Sequence, residues 1–218
     1  MKSRKDRIKP VIRILRKRYP FPRTSLRHKN VFHLLVATIL SAQCTDERVN
    51  RITPGLFKKY NTISAFAGAK RSSLEKDIRS TGFYRNKAKN IIAASQKILG
   101  DYNGRVPDSM KELITLAGVA RKTANIVLSS GFGRAEGIAV DTHVKRLSQR
   151  LGFSKENNPE RIEKDLMLLA PKEDWLDFNY LLVNYGREIC MARKPLCPKC
   201  IINKLCPSRG ISYPALSP

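Results

Sequence analysis

An all-α fold is what this sequence predicts, and three observations carry the prediction. No stretch sustains the two-residue alternation of a half-buried strand. Apolar residues return instead at three- and four-residue steps along most of the chain. Capping residues, glycines and prolines punctuate those runs where helices would begin and end. With 218 residues and 42% hydrophobic content, there is material for one large domain or two modest ones around a real core.

In chain order, Ile8, Val11, Ile12 and Leu15 predict a helix that packs one face against the body of the protein. The segment from Met1 to Arg18 is basic but lacks the apolar block of a signal peptide. A mitochondrial presequence would share its basic, amphipathic character, so charge alone leaves that open. Asn30 can cap a helix through Val31, Leu34, Leu35, Ala37 and Leu40, which is apolar on nearly every side and should lie centrally. Thr45 can cap the next, with Asp46 and Glu47 suited to its first turn and Pro54 expected to bend or divide it. Ser72 and Glu75 have capping-box spacing at the start of a short helix ending near Gly82. Ala88, Ile91, Ile92, Ser95, Ile98 and Leu99 then form a buried stripe that stops at Gly100. Further helices are expected at about 108–116, 120–130, 141–151, 158–169 and 174–189. Asn158 and Pro159 supply a cap and a first-turn proline. There is no internal repeat, and only the last dozen residues look loosely held.

Lys and Arg number 42 against 18 Asp and Glu, a formal charge of +24 that calls for a polyanionic partner. No run approaches the roughly 18–20 apolar residues that span a bilayer, so nucleic acid is favoured over membrane insertion. Four of the five cysteines, Cys190, Cys197, Cys200 and Cys206, crowd into one segment with the spacing C-x6-C-x2-C-x5-C. Nothing indicates the oxidising compartment that disulfides need. Four thiolates in one loop can hold a tetrahedral zinc or an iron-sulfur cube, and coordination arguments alone barely separate the two.

The run Leu116-Ala117-Gly118-Val119-Ala120-Arg121-Lys122-Thr123-Ala124 places a tight turn between two helices, with Gly118 able to take a positive φ cheaply. Such a hairpin turns backbone N–H groups outward beside a helix N-terminus, which suits a phosphate oxygen, and Arg121 and Lys122 add charge. Further on, Asp141 follows the apolar Ile138-Ala139-Val140 and can cap the helix that it opens.

These motifs, in this order, resemble the endonuclease III family of DNA glycosylases. Leu40-Ser41-Ala42-Gln43-Cys44-Thr45-Asp46, Gly82-Phe83-Tyr84-Arg85-Asn86-Lys87-Ala88, Arg121-Lys122-Thr123-Ala124-Asn125 and Val140-Asp141-Thr142-His143-Val144 extend the resemblance, which runs from about residue 5 to 207. It implies a bifunctional glycosylase and abasic-site lyase that removes oxidised pyrimidines and cleaves on the 3′ side by β-elimination. Lys122 would be the nucleophile and Asp141 the essential carboxylate. Proton loss from the lysine would be favoured by the helix N-terminus, by Arg121 and by partial burial.

By the same resemblance the four cysteines carry a 4Fe-4S cluster whose loop presents Arg193 and Lys194 to phosphates. Gln43 fills the space left by an extruded base, and Phe83 wedges into the opposite strand. Gly118, Ala120 and Arg121 would meet the backbone at the hairpin. The family's hairpin usually reads Leu-Pro-Gly-Val-Gly, so Ala117 and Ala120 are departures. Phe83 stands where leucine is common, and Cys44 where alanine is usual.

Two all-helical lobes flanking a DNA cleft are expected. One is a six-helix bundle over 24–134 with the helix-hairpin-helix; the other is a discontinuous cluster domain of 1–23 and 135–218. The expected partner is double-stranded DNA carrying damaged bases or abasic sites, bound by a monomer. The setting is intracellular, in cytoplasm and nucleoid, or in nucleus or mitochondrion for a eukaryote. A mismatch-specific glycosylase and a non-enzymatic, zinc-stapled DNA-binding protein are the alternatives. The first typically lacks the lysine, and the second leaves Asp141 and Gln43 without a role.

Overall fold

Side chains that accept a hydrogen bond from the amide two or three residues on decide where most helices begin. The computed structural model describes residues 3–210. Its α-helices are α1 (Arg4–Arg18), α2 (Val31–Ser41), α3 (Asp46–Lys59), α4 (Ile63–Ala67), α5 (Arg71–Asp77), α6 (Tyr84–Asp101), α7 (Met110–Leu113), α8 (Arg121–Ile126), α9 (Thr142–Arg150), α10 (Pro159–Leu169) and α11 (Phe178–Glu188). Among the described residues there is no strand, so the fold is all-α. Ser3, Asn30, Thr45, Thr62, Ser109, Asp141 and Asn158 each cap their helix through the side chain. No helix of the described residues is long and apolar enough to cross a membrane.

By packing, the chain divides into two units. One takes the residues up to Arg23 together with those from Gly137 on, and the other is Thr24–Glu136. The second unit is built around α2, which buries every residue from Phe32 to Leu40. Leu34, Leu40, Phe66, Leu74, Ile98, Leu113 and Val127 are fully buried in its core, each contributing about 1.5–3 kcal/mol on transfer from water. In the first unit α1 lays Ile8, Val11, Ile12 and Leu15 into a separate core with Val144, Phe153, Leu166, Phe178, Leu182 and Tyr185. A chain-distant helix thereby becomes structural for the C-terminal elements.

Several elements differ from their sequence expectation. Helix α3 runs through Pro54 undivided, because Val49, Thr53 and Leu56 hold it to the core on both sides of the missing N–H. Ser72 and Glu75 form no capping box. The cap position is Lys70, and Glu75 is taken by Arg71 at 2.8 Å. The short helix stops at Asp77, and a 3-10 turn, Arg79–Thr81, covers the remaining distance to Gly82. On α6 the buried stripe is Lys87, Ala88, Ile91, Ala94, Ser95 and Ile98; Leu99 is exposed and the helix continues to Asp101.

Helix α7 is one turn, since its bonds tighten to three-residue closures at Thr115, Leu116 and Val119 as the chain enters the hairpin. Helix α11 starts only at Phe178, because Asp174 and Asp177 are both engaged by Arg16 at 2.7 Å. Of the last dozen residues, 207–210 form a turn, and 211–218 lie outside the described residues.

Candidate functional site

Among the described residues four helices begin without a side-chain cap, α5, α6, α8 and α11, and two of these open at residues that the sequence singles out. Helix α8 follows the hairpin directly. Gly118 has φ +77°, and a Cβ there would lie 2.9 Å from both Cβ and Nδ2 of Asn90 on α6. Only glycine meets both demands, a left-handed backbone and close approach to a neighbouring helix. Ala120 stands at the cap position with extended backbone and has no oxygen to offer the first-turn amides. Arg121 and Lys122 occupy that turn, with Lys122 exposed rather than partly buried. One turn later the helix widens into a π turn, Val127–Gly131, a local rearrangement common near functional sites.

The second feature of this unit is a pair of loops. Gln43, three residues past Leu40, has φ +51°, and Phe83, two residues past Thr81, has φ +47°. Non-glycine residues in this region cost about 1–2 kcal/mol each. Gln43 is exposed and Phe83 is 62% exposed, so neither recovers that strain by burying its side chain. Between the two loops lies Lys87, 4% exposed. Its Nζ donates to the Leu40 carbonyl and to the Thr81 carbonyl, each at 2.8 Å. Burial pulls the pKa of this ammonium down, and the nearby Cys44 acts weakly the other way.

In the first unit Asp141 caps α9, its Oδ1 accepting from the Val144 amide at 2.8 Å. One carboxylate oxygen is thus committed to structure. Beside it, His143 has its pKa lowered by burial, with Asp141 opposing and Arg146 and Arg187 adding to the effect. Arg146 donates toward His143 Nδ1 at 3.2 Å, which makes that nitrogen the acceptor of a neutral ring. Helix α11 crosses α9 at Gly186, where a Cβ would sit 3.0 Å from His143 Nδ1 and from Arg146 Nη2.

The cysteine loop is held by arginines. Arg150 donates to the carbonyls of Met191 and Ala192 at 2.7 and 2.9 Å and to Cys190 Sγ at 3.4 Å. Arg146 donates to the Cys190 carbonyl at 3.1 Å through Nε. Arg7, on α1, donates to the carbonyls of Leu151 and Leu205 at 2.6 and 2.9 Å. The Tyr185 hydroxyl donates to Cys200 Sγ at 3.1 Å and accepts from the Ile201 amide at 3.0 Å.

Cys190, Cys197, Cys200 and Cys206 together line a cavity of about 30 Å³, otherwise walled largely by Leu147, Tyr185, Ile189, Leu196 and Ile202. Burial pushes the Cys206 thiol up, and the other three cysteines add to the effect. Four thiolates cannot share this space without cations among them. No group of three or more His, Cys, Asp or Glu among the described residues is arranged to hold a single ion. Arg193 and Lys194 are exposed at the outer edge of the loop, Lys194 with φ +54°.

Lys122, Gly118, Ala120 and Arg121 therefore share one hairpin, Gln43 and Phe83 share one buried lysine, and the four cysteines share one cavity. Lys87, Arg7, Arg146, Arg150 and Tyr185 escaped sequence reasoning. Their one signal is position, since Arg7 and Lys87 stand on apolar helix faces where a charge has to find partners.

Hairpin, basic surface and cysteine cavity on an all-helical fold define a class of nucleic-acid-binding proteins, and comparison places the chain within it. Residues 36–172 match the HhH-GPD superfamily of base excision DNA repair proteins. The chain is 54% identical to an endonuclease III of Synechocystis sp. over 97% of both chains. It is 47% identical to an endonuclease III of Bacillus subtilis over 86% of both. A solved structure of a trapped endonuclease III–DNA covalent intermediate superimposes with a TM-score of 0.89 at 44% identity, covering 95% of this chain and 97% of that one. The chain belongs to the endonuclease III family within that superfamily.

Proposed function

We propose that the chain is a bifunctional DNA glycosylase and abasic-site lyase of base excision repair, acting on oxidised pyrimidines in duplex DNA, with Lys122 as its nucleophile. The observation that carries the reading is Lys122 itself, an exposed amine on the first turn of an uncapped helix behind a glycine-tight hairpin. A likeness to a structure trapped as a covalent DNA intermediate supports it, since a covalent intermediate requires a nucleophile.

The first-turn amides of α8, a helix without a side-chain cap, and the charge of Arg121 bind a backbone phosphate, which brings the sugar to Lys122. Bound DNA then supplies the burial that the free protein does not. Nζ attacks C1′ of the extruded nucleotide, the C1′–N bond breaks, and the base leaves with its electron pair. The free carboxylate oxygen of Asp141 stabilises the positive charge that develops on the sugar. Ring opening gives a Schiff base between Nζ and C1′. Loss of a C2′ proton then expels the 3′ phosphate by β-elimination. Gln43 fills the vacated space in the stack and Phe83 separates the opposite strand.

Cys190, Cys197, Cys200 and Cys206 would hold a 4Fe-4S cluster. The four thiols ring one cavity, a donor set that an iron-sulfur cube accepts, and membership of the endonuclease III family favours that cluster over a lone zinc. Bound there, the group would offset part of the thiolate charge and tie the four cysteines together; neither bond-breaking step transfers electrons. Arg193 and Lys194 on that loop contact phosphates. Its substrate being DNA, the protein works inside the cell.

Borohydride trapping on a duplex carrying thymine glycol tests the nucleophile. The native protein forms a covalent adduct and Lys122→Gln forms none; an adduct that persists in Lys122→Gln overturns the assignment.

A further inference from the structure

Lys87 is a buried cation with no place in the chemistry above. It sits one turn into α6, close behind Phe83, the residue that opens the helix. Its ammonium reaches two carbonyls that belong to two different helix ends. Leu40 lies in the last turn of α2, and Thr81 is the last residue of the 3-10 turn that precedes Gly82. Carbonyls at helix ends lack intrahelical partners and carry the negative end of the dipole, so one cation between two such ends is held by both. From those ends the chain leaves along the two short loops that place Gln43 and Phe83, both left-handed and both exposed.

Strained backbone at an exposed residue persists only where its surroundings hold it. In each loop a carbonyl two or three residues before the strained residue, Thr81 before Phe83 and Leu40 before Gln43, is bonded to Lys87. We propose that Lys87 is the positioning residue of the base-extrusion step, tying the two wedge loops into one rigid unit so that Gln43 and Phe83 enter the duplex together. It touches neither DNA nor the reacting atoms. The inference rests on the reading of Gln43 and Phe83 as wedges, and it goes beyond it by naming the group that couples them.

The test separates extrusion from sugar chemistry. Excision of thymine glycol from a duplex needs both wedges, whereas β-elimination at an abasic site in a single strand needs only the chemistry at the sugar. Lys87→Met keeps the length and apolar stem and removes both donors. Duplex excision should fall about 10-fold or more while single-strand cleavage stays within about twofold, the size expected when positioning alone is lost. The fluorescence rise of 2-aminopurine placed opposite the lesion should fall in parallel. In the Gln43→Ala/Phe83→Ala background, Lys87→Met should cause no further loss of duplex excision.

Equal losses on both substrates, or a full further loss in that background, would overturn the inference and leave Lys87 as a stability residue. Where Gln43→Ala/Phe83→Ala itself excises from duplex at the native rate, it is the wedge reading that fails. If Lys87→Met does not fold, Lys87→Gln, too short to reach both carbonyls, carries the same comparison.

Discussion

Replacing Gly118 by alanine loads two constraints at one atom. The new Cβ meets Asn90 Cβ and Nδ2 at 2.9 Å, and the backbone stays at φ +77°. A left-handed alanine costs about 1–2 kcal/mol, and pushing a well-packed neighbour aside costs about 1–3 kcal/mol. Together these give a loss of about 3 kcal/mol, or a fall of roughly 6–12 °C in melting temperature at about 2–4 °C per kcal/mol for a chain of this size. Urea unfolding should be followed by far-ultraviolet circular dichroism, because the single tryptophan, Trp175, belongs to the other unit. Asn90→Gly removes the obstructing side chain at roughly 0.3 kcal/mol of helix propensity, because asparagine is itself a poor helix former. The double variant should therefore be more stable than the sum of the single losses by about 1–3 kcal/mol. Borohydride trapping should fall in Gly118→Ala and partly return in the double variant. A loss under about 0.5 kcal/mol, or strict additivity, would refute the view that close approach to α6 and a left-handed backbone together demand glycine here.

Purified protein should contain iron and absorb broadly in the visible, and Cys200→Ser should lose colour and stability together; zinc without iron would overturn the cluster reading. Binding to duplex DNA should weaken steeply with salt, with Arg193→Ala and Lys194→Ala each reducing the slope of log affinity against log salt by about 1. An unchanged slope would remove these residues from the phosphate contacts. His33, buried and stacked on Phe57 at 3.9 Å, has its pKa lowered by burial and then by Lys29 and His28. Its contribution to stability is complete above the unfolded value of about 6.5 and is lost as pH falls through the lowered folded value. His33→Phe should accordingly lose less stability than the native chain between neutral and mildly acidic pH, and equal losses would assign the acid sensitivity to other groups.

Elements whose cause lies within three residues were legible. Asn30, Thr45, Asp141 and Asn158 cap their helices as their types and positions suggest, because the acceptor and its amide are neighbours in the chain. The same logic failed at Ser72 and Glu75, where Arg71 competes for the carboxylate and the helix starts two residues too early for a Ser72 cap. It failed again at Asp174 and Asp177, because Arg16 lies about 160 positions away in sequence and close in space.

Helical class, the hairpin glycine, the lysine behind it, the carboxylate cap and the cysteine spacing were determined by the sequence alone, since each is a local pattern of residue type and interval. What surrounds them was decided only by tertiary structure. The clash that reserves position 118 for glycine needs Asn90 from another helix. The cysteine cavity needs Arg7, Arg146, Arg150 and Tyr185 to hold its loop. Gln43 and Phe83 become a pair only through Lys87, whose partners are backbone carbonyls. Every residue type carries the same backbone carbonyl, so a side chain that binds one leaves no trace in the partner's identity.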